Sequence, residues 1–310
     1  MSSSHFIRES LREFMGRPVR QYDPVEGLVD PRKYAWRLGF NNEDDVVFDA
    51  QVEALLADPD LPEIESLVIG PWSGEMFEDS GPTLREALLG ASPRLTGLRG
   101  LFYGDITYES CEISWIRHSN LAPLVNTLPA LEELVIRGGS GLRLSGLSSG
   151  TLRKLTLQAG GLSGDVVRDV VSANLPELEH LELWLGTRDY GSRSTVHDLQ
   201  PLLSGKAFPK LTWLGLKNNE QADELAAAMA TAPVTSMIKS LDMSMGTMGD
   251  EGGEALLRSP AIAALELLVV DENYLSTEMR ERLTAHGTGT VLSRGERDDY
   301  GEDRYVSCGE

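Results

Sequence analysis

Three carboxylates, Asp105, Glu109 and Glu112, lie close together in a short stretch that also holds Cys111 and Trp115. Hard oxygen donors at this density could bind a divalent cation. The spacing matches no EF-hand loop and lacks its turn glycine and closing glutamate, so the stretch reads as a structural loop and no metal is expected. Cys111 would be a nucleophile only beside a base, and nothing in the spacing brings His118 to it. The glycines at 160–161 and 246–253 have neither the Lys-Ser/Thr of a P-loop nor a G-x-G-x-x-G pattern, and suit tight turns out of strands. No HExxH or CxxC motif occurs. The chain is therefore not expected to be an enzyme, and no cofactor is implied.

What remains is recognition chemistry, carried by aromatic and charged residues on a recurring framework. Leu131-x-x-Leu134-x-Ile136, Leu152-x-x-Leu155-x-Leu157, Leu178-x-x-Leu181-x-Leu183 and Leu211-x-x-Leu214-x-Leu216 repeat one phrase. Weaker copies begin at Ile64, Leu98, Ile238 and Leu265, and successive starts are 34, 33, 21, 26, 33, 27 and 27 residues apart. This period marks a leucine-rich repeat, one short strand plus a return segment per unit. The expected fold is an α/β solenoid, a horseshoe with a parallel sheet on its concave face and helices on its convex face. Return helices are expected at 165–173 behind Asp165, at 222–230, at 251–258 capped by Asp250 and at 278–286 capped by Thr277.

Side chains alternate across a strand, so the phrase leucines point inward and the residues between them line the concave face. That lining comprises Phe102, Glu133, Arg137, Lys154, Gln158, His180, Glu182, Trp184, Trp213, Lys217, Asp242 and Asp271. Trp184 and Trp213 fall on adjacent strands about 5 Å apart, facing outward, as interface anchors would. The alternative is that insertion loops fold over them as a small satellite core. Two long insertions, 104–115 and 186–193, leave from strand ends and should share one rim of the horseshoe. They place Asp105, Glu109, Glu112, Trp115, Arg188, Asp189 and Tyr190 beside the concave face. The expected partner-binding set is Trp184, Trp213, His180, Glu182, Lys217, Arg137, Phe102 and Asp242, and the expected ligand is a protein or peptide.

Residues 1–61 read as an N-terminal segment and cap, with a short helix over 7–15, a loop punctuated by Pro18, Pro24 and Pro31, a strand over 35–40 and a helix over 46–57 striped by Val47, Leu55 and Leu56. Residues 62–286 form the solenoid, about eight repeats, and 287–310 a charged tail or cap. With 28 Lys+Arg against 48 Asp+Glu, the net charge is −20. Such a balance repels phosphate backbones and anionic bilayers, so neither nucleic acid nor membrane is an expected partner. Cys111 and Cys308 are far apart and no cysteine-rich cap is present, which fits a reducing compartment. The N-terminal stretch has no apolar h-region, so a cytoplasmic location is expected.

The stretches LFYGDITYESCEISWI, at 101–116, and LELWLGTRDYG, at 181–191, resemble the signature segments of an uncharacterised bacterial cytoplasmic leucine-rich-repeat family. The resemblance extends through 67–72 and 246–257 and covers most of 34–285. The family has no assigned activity, and its members are often encoded beside radical-SAM, ATP-grasp-like and phosphatase/sulfatase-like proteins. The resemblance thus implies an accessory or substrate-binding subunit of a multi-enzyme modification pathway, a second reading beside that of a free-standing interaction module.

Overall fold

A computed structural model describes residues 7–39, 48–73, 81–287, 289–293 and 304–309. The chain divides into two compact units: residues 7–158 with 173–175, and residues 159–172 with 176–309. Both are built as α/β leucine-rich-repeat solenoid, because each phrase leucine pair drives one short strand whose two inward side chains are buried.

The first unit contains β1 (Glu13–Phe14), β2 (Arg17–Gln21), β3 (Ala35–Leu38), β4 (Ser66–Ile69), β5 (Gly100–Tyr103), β6 (Glu133–Arg137) and β7 (Lys154–Gln158). From β2 onward, neighbours in the chain pair in parallel. The second unit contains β8 (His180–Gly186), β9 (Trp213–Asn219), β10 (Ser240–Asp242), β11 (Leu267–Val269) and β12 (Thr290–Leu292), again parallel in chain order. The register aligns the phrases: Leu134 faces Leu155, and Leu181, Leu214, Leu241 and Leu268 form one buried row. Return helices include Phe48–Ala57, Pro82–Ala91, Gly164–Val171, Ala222–Thr231, Asp250–Leu257 and Thr277–His286. Gly252 and Gly253 lie inside one of these helices and not in a strand-exit turn; a Cβ on Gly253 would sit 2.6 Å from Met279 Cγ, so the glycine permits close packing.

Several local expectations are corrected. Residues 7–15 are not helical: Glu13–Phe14 pairs antiparallel with Arg17–Pro18. Met15 and Gly16 both have positive φ (51° and 71°), the geometry of a two-residue hairpin whose twist suits the flanking strands. Helix Gly164–Val171 is capped by Ser163, whose hydroxyl accepts from Val166 N, and helix Thr277–His286 by Ser276. Asp250 does not cap its helix either; its carboxylate accepts from Ser276 N at 2.8 Å. The strand expected over 35–40 is seen at 35–38 and the helix expected over 46–57 at 48–57; Phe40 and Val47 lie outside the described residues.

The hairpin has a large consequence for the first unit. Phe14, with Leu11, Met15 and Val19, packs against Ala35, Val68, Phe102 and Val135. Val68, Phe102 and Val135 sit between the inward residues of β4, β5 and β6, so they belong to the opposite sheet face. That face is therefore not open here; the N-terminal segment covers it as a second apolar layer.

Candidate partner-binding face

In the first unit the predicted site residues turn out to be structural. Phe102 is 4% exposed and meets Phe14 edge-on, with ring centroids 6.0 Å apart. Arg137 is buried over the Phe102 ring at 5.0 Å and donates to Asp105 Oδ1 (3.2 Å), Ile106 O (3.0 Å) and Gln158 Oε1 (2.9 Å). Asp105 is fully buried and not a rim group: it pairs with Arg37 and Arg137 and accepts from Leu11 N at 3.0 Å. A carboxylate taken out of water this completely persists because two guanidinium groups and an amide satisfy its lone pairs. Asp105 has therefore left the cluster it forms in sequence with exposed Glu109 and half-buried Glu112. Among the described residues no group of three His, Cys, Asp or Glu could hold a metal ion.

The chemistry of Cys111 and His118 is likewise muted. Burial, with Glu112 adding to it, pushes the Cys111 thiol up to about 11, so it is protonated at neutral pH and a poor nucleophile. Burial pushes His118 down to about 4, and its Nε2 bonds the Arg137 carbonyl at 2.8 Å. The ring packs between Trp72 and Tyr103, centroids 5.5 and 5.6 Å away. It is a neutral core histidine. Trp115, 55% exposed, is the one expected rim residue of this unit that stands out from the surface as a large apolar group.

The second unit keeps its predicted residues together on the outward side of β8–β10. The two tryptophans are not neighbours, however. Register sets His180 opposite Trp213 and Trp184 opposite Lys217, so the indoles are offset by four residues, roughly 13 Å along the strands. Trp213 stacks on His180 instead, centroids 3.8 Å apart and planes within 5°. Both rings are half-buried. Gly215, the next outward residue on β9, makes room: a Cβ there would meet the Trp213 ring at 2.6 Å. Sequence reasoning passed over Gly215, though a glycine between Leu214 and Leu216 at an outward position was a visible signal.

Beyond the stack lies an ionic row. Lys217 Nζ sits 3.7 Å from Glu182 Oε1 and 3.3 Å from Asp242 Oδ2. Trp184, 9% exposed, donates its indole N–H to Glu182 Oε1 at 2.5 Å and lies under Lys217, 5.6 Å from ring to ammonium. Burial holds Glu182 above the usual carboxylate range, while Lys217 and the Trp184 N–H oppose that shift. Two carboxylates thus share one ammonium, and His180 approaches Glu182 Oε2 at 4.0 Å. On β10 and β11 the row carrying Trp213 continues through Ser240 and Leu267, both half-buried. The face combines an aromatic stack, a small step, an aliphatic shoulder and an acidic edge.

Of the second insertion, Arg188 and Asp189 are exposed. A short turn at Arg188–Tyr190 is fixed by Thr187, whose hydroxyl accepts from Asp189 N at 3.1 Å, and by Arg188 N donating to Glu220 at 2.9 Å. Tyr190 is half-buried.

No protein-family model matches the chain, and no curated protein is similar to it. Among solved structures it is similar to the crystal structure of a Bacteroides fragilis protein, at a TM-score of 0.78 and 28% identity over 86% of this chain and 76% of that one. A second likeness, to an internalin from Listeria monocytogenes, has a TM-score of 0.31 and 14% identity over 80% of this chain and 83% of that one, too low to add to the fold assignment. No helix among the described residues is long and apolar enough to cross a membrane.

Proposed function

We propose that the chain is a non-catalytic interaction module that holds a cytoplasmic protein or peptide on the outward face of β8–β11. The supporting observation is the His180–Trp213 stack, held half-exposed on the sheet over Gly215. Aromatic rings fixed in one orientation at a polar rim are what interface hot spots require. The surplus carboxylate of the Glu182–Lys217–Asp242 row favours a partner that brings a cation or hydrogen-bond donors. Trp184 acts beneath that row, orienting Glu182. In this reading residues 1–61 are the N-terminal segment and cap, 62–286 the repeat array and 287–310 the tail. The resemblance to the bacterial repeat family would make the partner an enzyme or substrate of a modification pathway.

The test is affinity capture from native lysate with wild type, the His180→Ala/Trp213→Ala double variant and Trp115→Ala. The double variant should lose a partner that the other two retain, a loss of at least ~2 kcal/mol or roughly 30-fold in affinity. Identical capture by all three would overturn the assignment.

A further inference from the structure

The rim at the ends of β9, β10 and β11 carries a regular device. Asn218, Met245 and Glu272 are spaced by 27 residues and share a left-handed backbone, with φ of 54°, 68° and 55°. Such a conformation costs a non-glycine residue about 1–3 kcal/mol and persists where surroundings demand it. Their amides extend the strand ladder by one rung: Asn218 N donates to Ser244 O and Met245 N to Asp271 O, each at 2.9 Å.

Across this row lies the chain's own C-terminal segment, residues 304–309, held by side chains and backbone. Asn218, fully buried, holds both backbone groups of one residue: its Oδ1 accepts from Cys308 N at 2.9 Å and its Nδ2 donates to Cys308 O. Ser307 N donates to Met245 O at 2.9 Å, and Ser307 Oγ to Glu272 Oε2 at 2.8 Å. Tyr305 exchanges two backbone bonds with the Tyr274 hydroxyl, at 2.9 and 3.1 Å. Arg304 reaches Asp223 at 3.5 Å and Thr247 O at 3.3 Å and lies over the Tyr274 ring. Gly309 approaches Tyr190 so closely that a Cβ would sit 2.8 Å from its ring.

A bidentate carboxamide reads a backbone without regard to side chain, whereas the buried Ser307 and Cys308 positions admit only small groups. The Arg304, Ser307 and Gly309 contacts supply sequence preference. Tyr305, 64% exposed, meets the rim through its backbone N–H and C=O. We propose that this rim is a recognition groove for an extended segment of a partner protein of the form Arg-x-x-Ser-small-Gly, and that the C-terminal segment occupies it as an internal stand-in. The groove is separate from the His180–Trp213 face and stands or falls independently of it.

The test uses the full-length chain. Cys308 is 2% exposed, so its alkylation reports departure of the segment, with Cys111 as internal control. The competitor is a synthetic peptide of residues 304–309 carrying Cys308→Ala, taken into the millimolar range because a tethered segment competes at an effective concentration on that order. Cys308 alkylation should rise saturably, roughly tenfold or more, while Cys111 is unchanged and a scrambled peptide has no effect. Asn218→Ala should raise the rate without any peptide, since two hydrogen bonds are lost. A Cys308 rate unmoved by the matching peptide would overturn the proposal, as would Cys308 and Cys111 rates rising together, which would make the segment part of the global fold.

Discussion

Replacing Asp105 with asparagine tests whether the first unit is organised around a buried charge. The carboxylate is fully buried between Arg37 and Arg137, whose side chains are 13% and 7% exposed. Removing one member of a buried ionic set costs about 3–5 kcal/mol, because the remaining charges stay desolvated. The structure places Asp105→Asn at the lower end. Arg137 keeps Ile106 O, Gln158 and the Phe102 face, and Arg37 keeps the Asp105 carbonyl at 2.9 Å. Asparagine also retains one acceptor for Leu11 N. The expected loss is therefore ~3 kcal/mol, read as a fall in the urea midpoint at unchanged slope. Hydrogen exchange should show the loss within residues 7–39 and 100–137, with 176–287 retaining protection, since the hairpin is tied to Asp105 through Leu11. A loss under ~1 kcal/mol would refute the argument that Asp105 is an obligatory counter-charge, and protection falling evenly along the chain would refute its confinement to the first unit.

Two further outcomes follow from the same geometry. His118 has a folded-state pKa pushed from 6.5 down to about 4. Between those values the unfolded chain binds a proton that the folded chain refuses, so its contribution to stability falls with falling pH; from pH 7 to pH 5 the loss is about 2 kcal/mol. Urea titrations of wild type and His118→Phe should diverge by that amount, and parallel pH profiles would contradict it. Gly215→Ala puts a Cβ against the far edge of the Trp213 ring, which can swing away, so stability should move by less than ~1 kcal/mol while tryptophan emission shifts and partner capture weakens. Unchanged emission would show that the ring does not rest on Gly215.

Much of this architecture is legible in the leucines. Each phrase fixes a strand two residues after its first leucine, and aligning the phrases fixes register, from which the His180–Trp213 pairing follows directly. Strand adjacency alone sets the two tryptophans side by side, and the register offset separates them. The covered face of the first unit was partly visible too. Val68, Phe102 and Val135 are apolar at outward positions where an open sheet would carry polar groups. What covers them was hidden, since Leu11 and Phe14 are three apart and look helical, and the turn that makes them a hairpin depends on Met15 accepting a positive φ. The buried position of Asp105 is hidden from the sequence for a related reason. Its partner Arg37 is 68 residues away, and no local spacing announces a contact of that range.

The hairpin over β3–β6 also sets an order of events during synthesis. Phe14 precedes Phe102 by 88 residues and Val135 by 121. At about 5–20 residues per second, a ribosome takes roughly 6–24 s to complete the surface on which Phe14 finally rests. The parallel strands can stack one upon the next as they emerge, but each new rung bares another apolar position to solvent until the waiting hairpin settles across them. A segment translated early thus docks late, and the nascent chain passes through an interval in which an exposed hydrophobic strip on an unfinished sheet is the surface chaperones would meet.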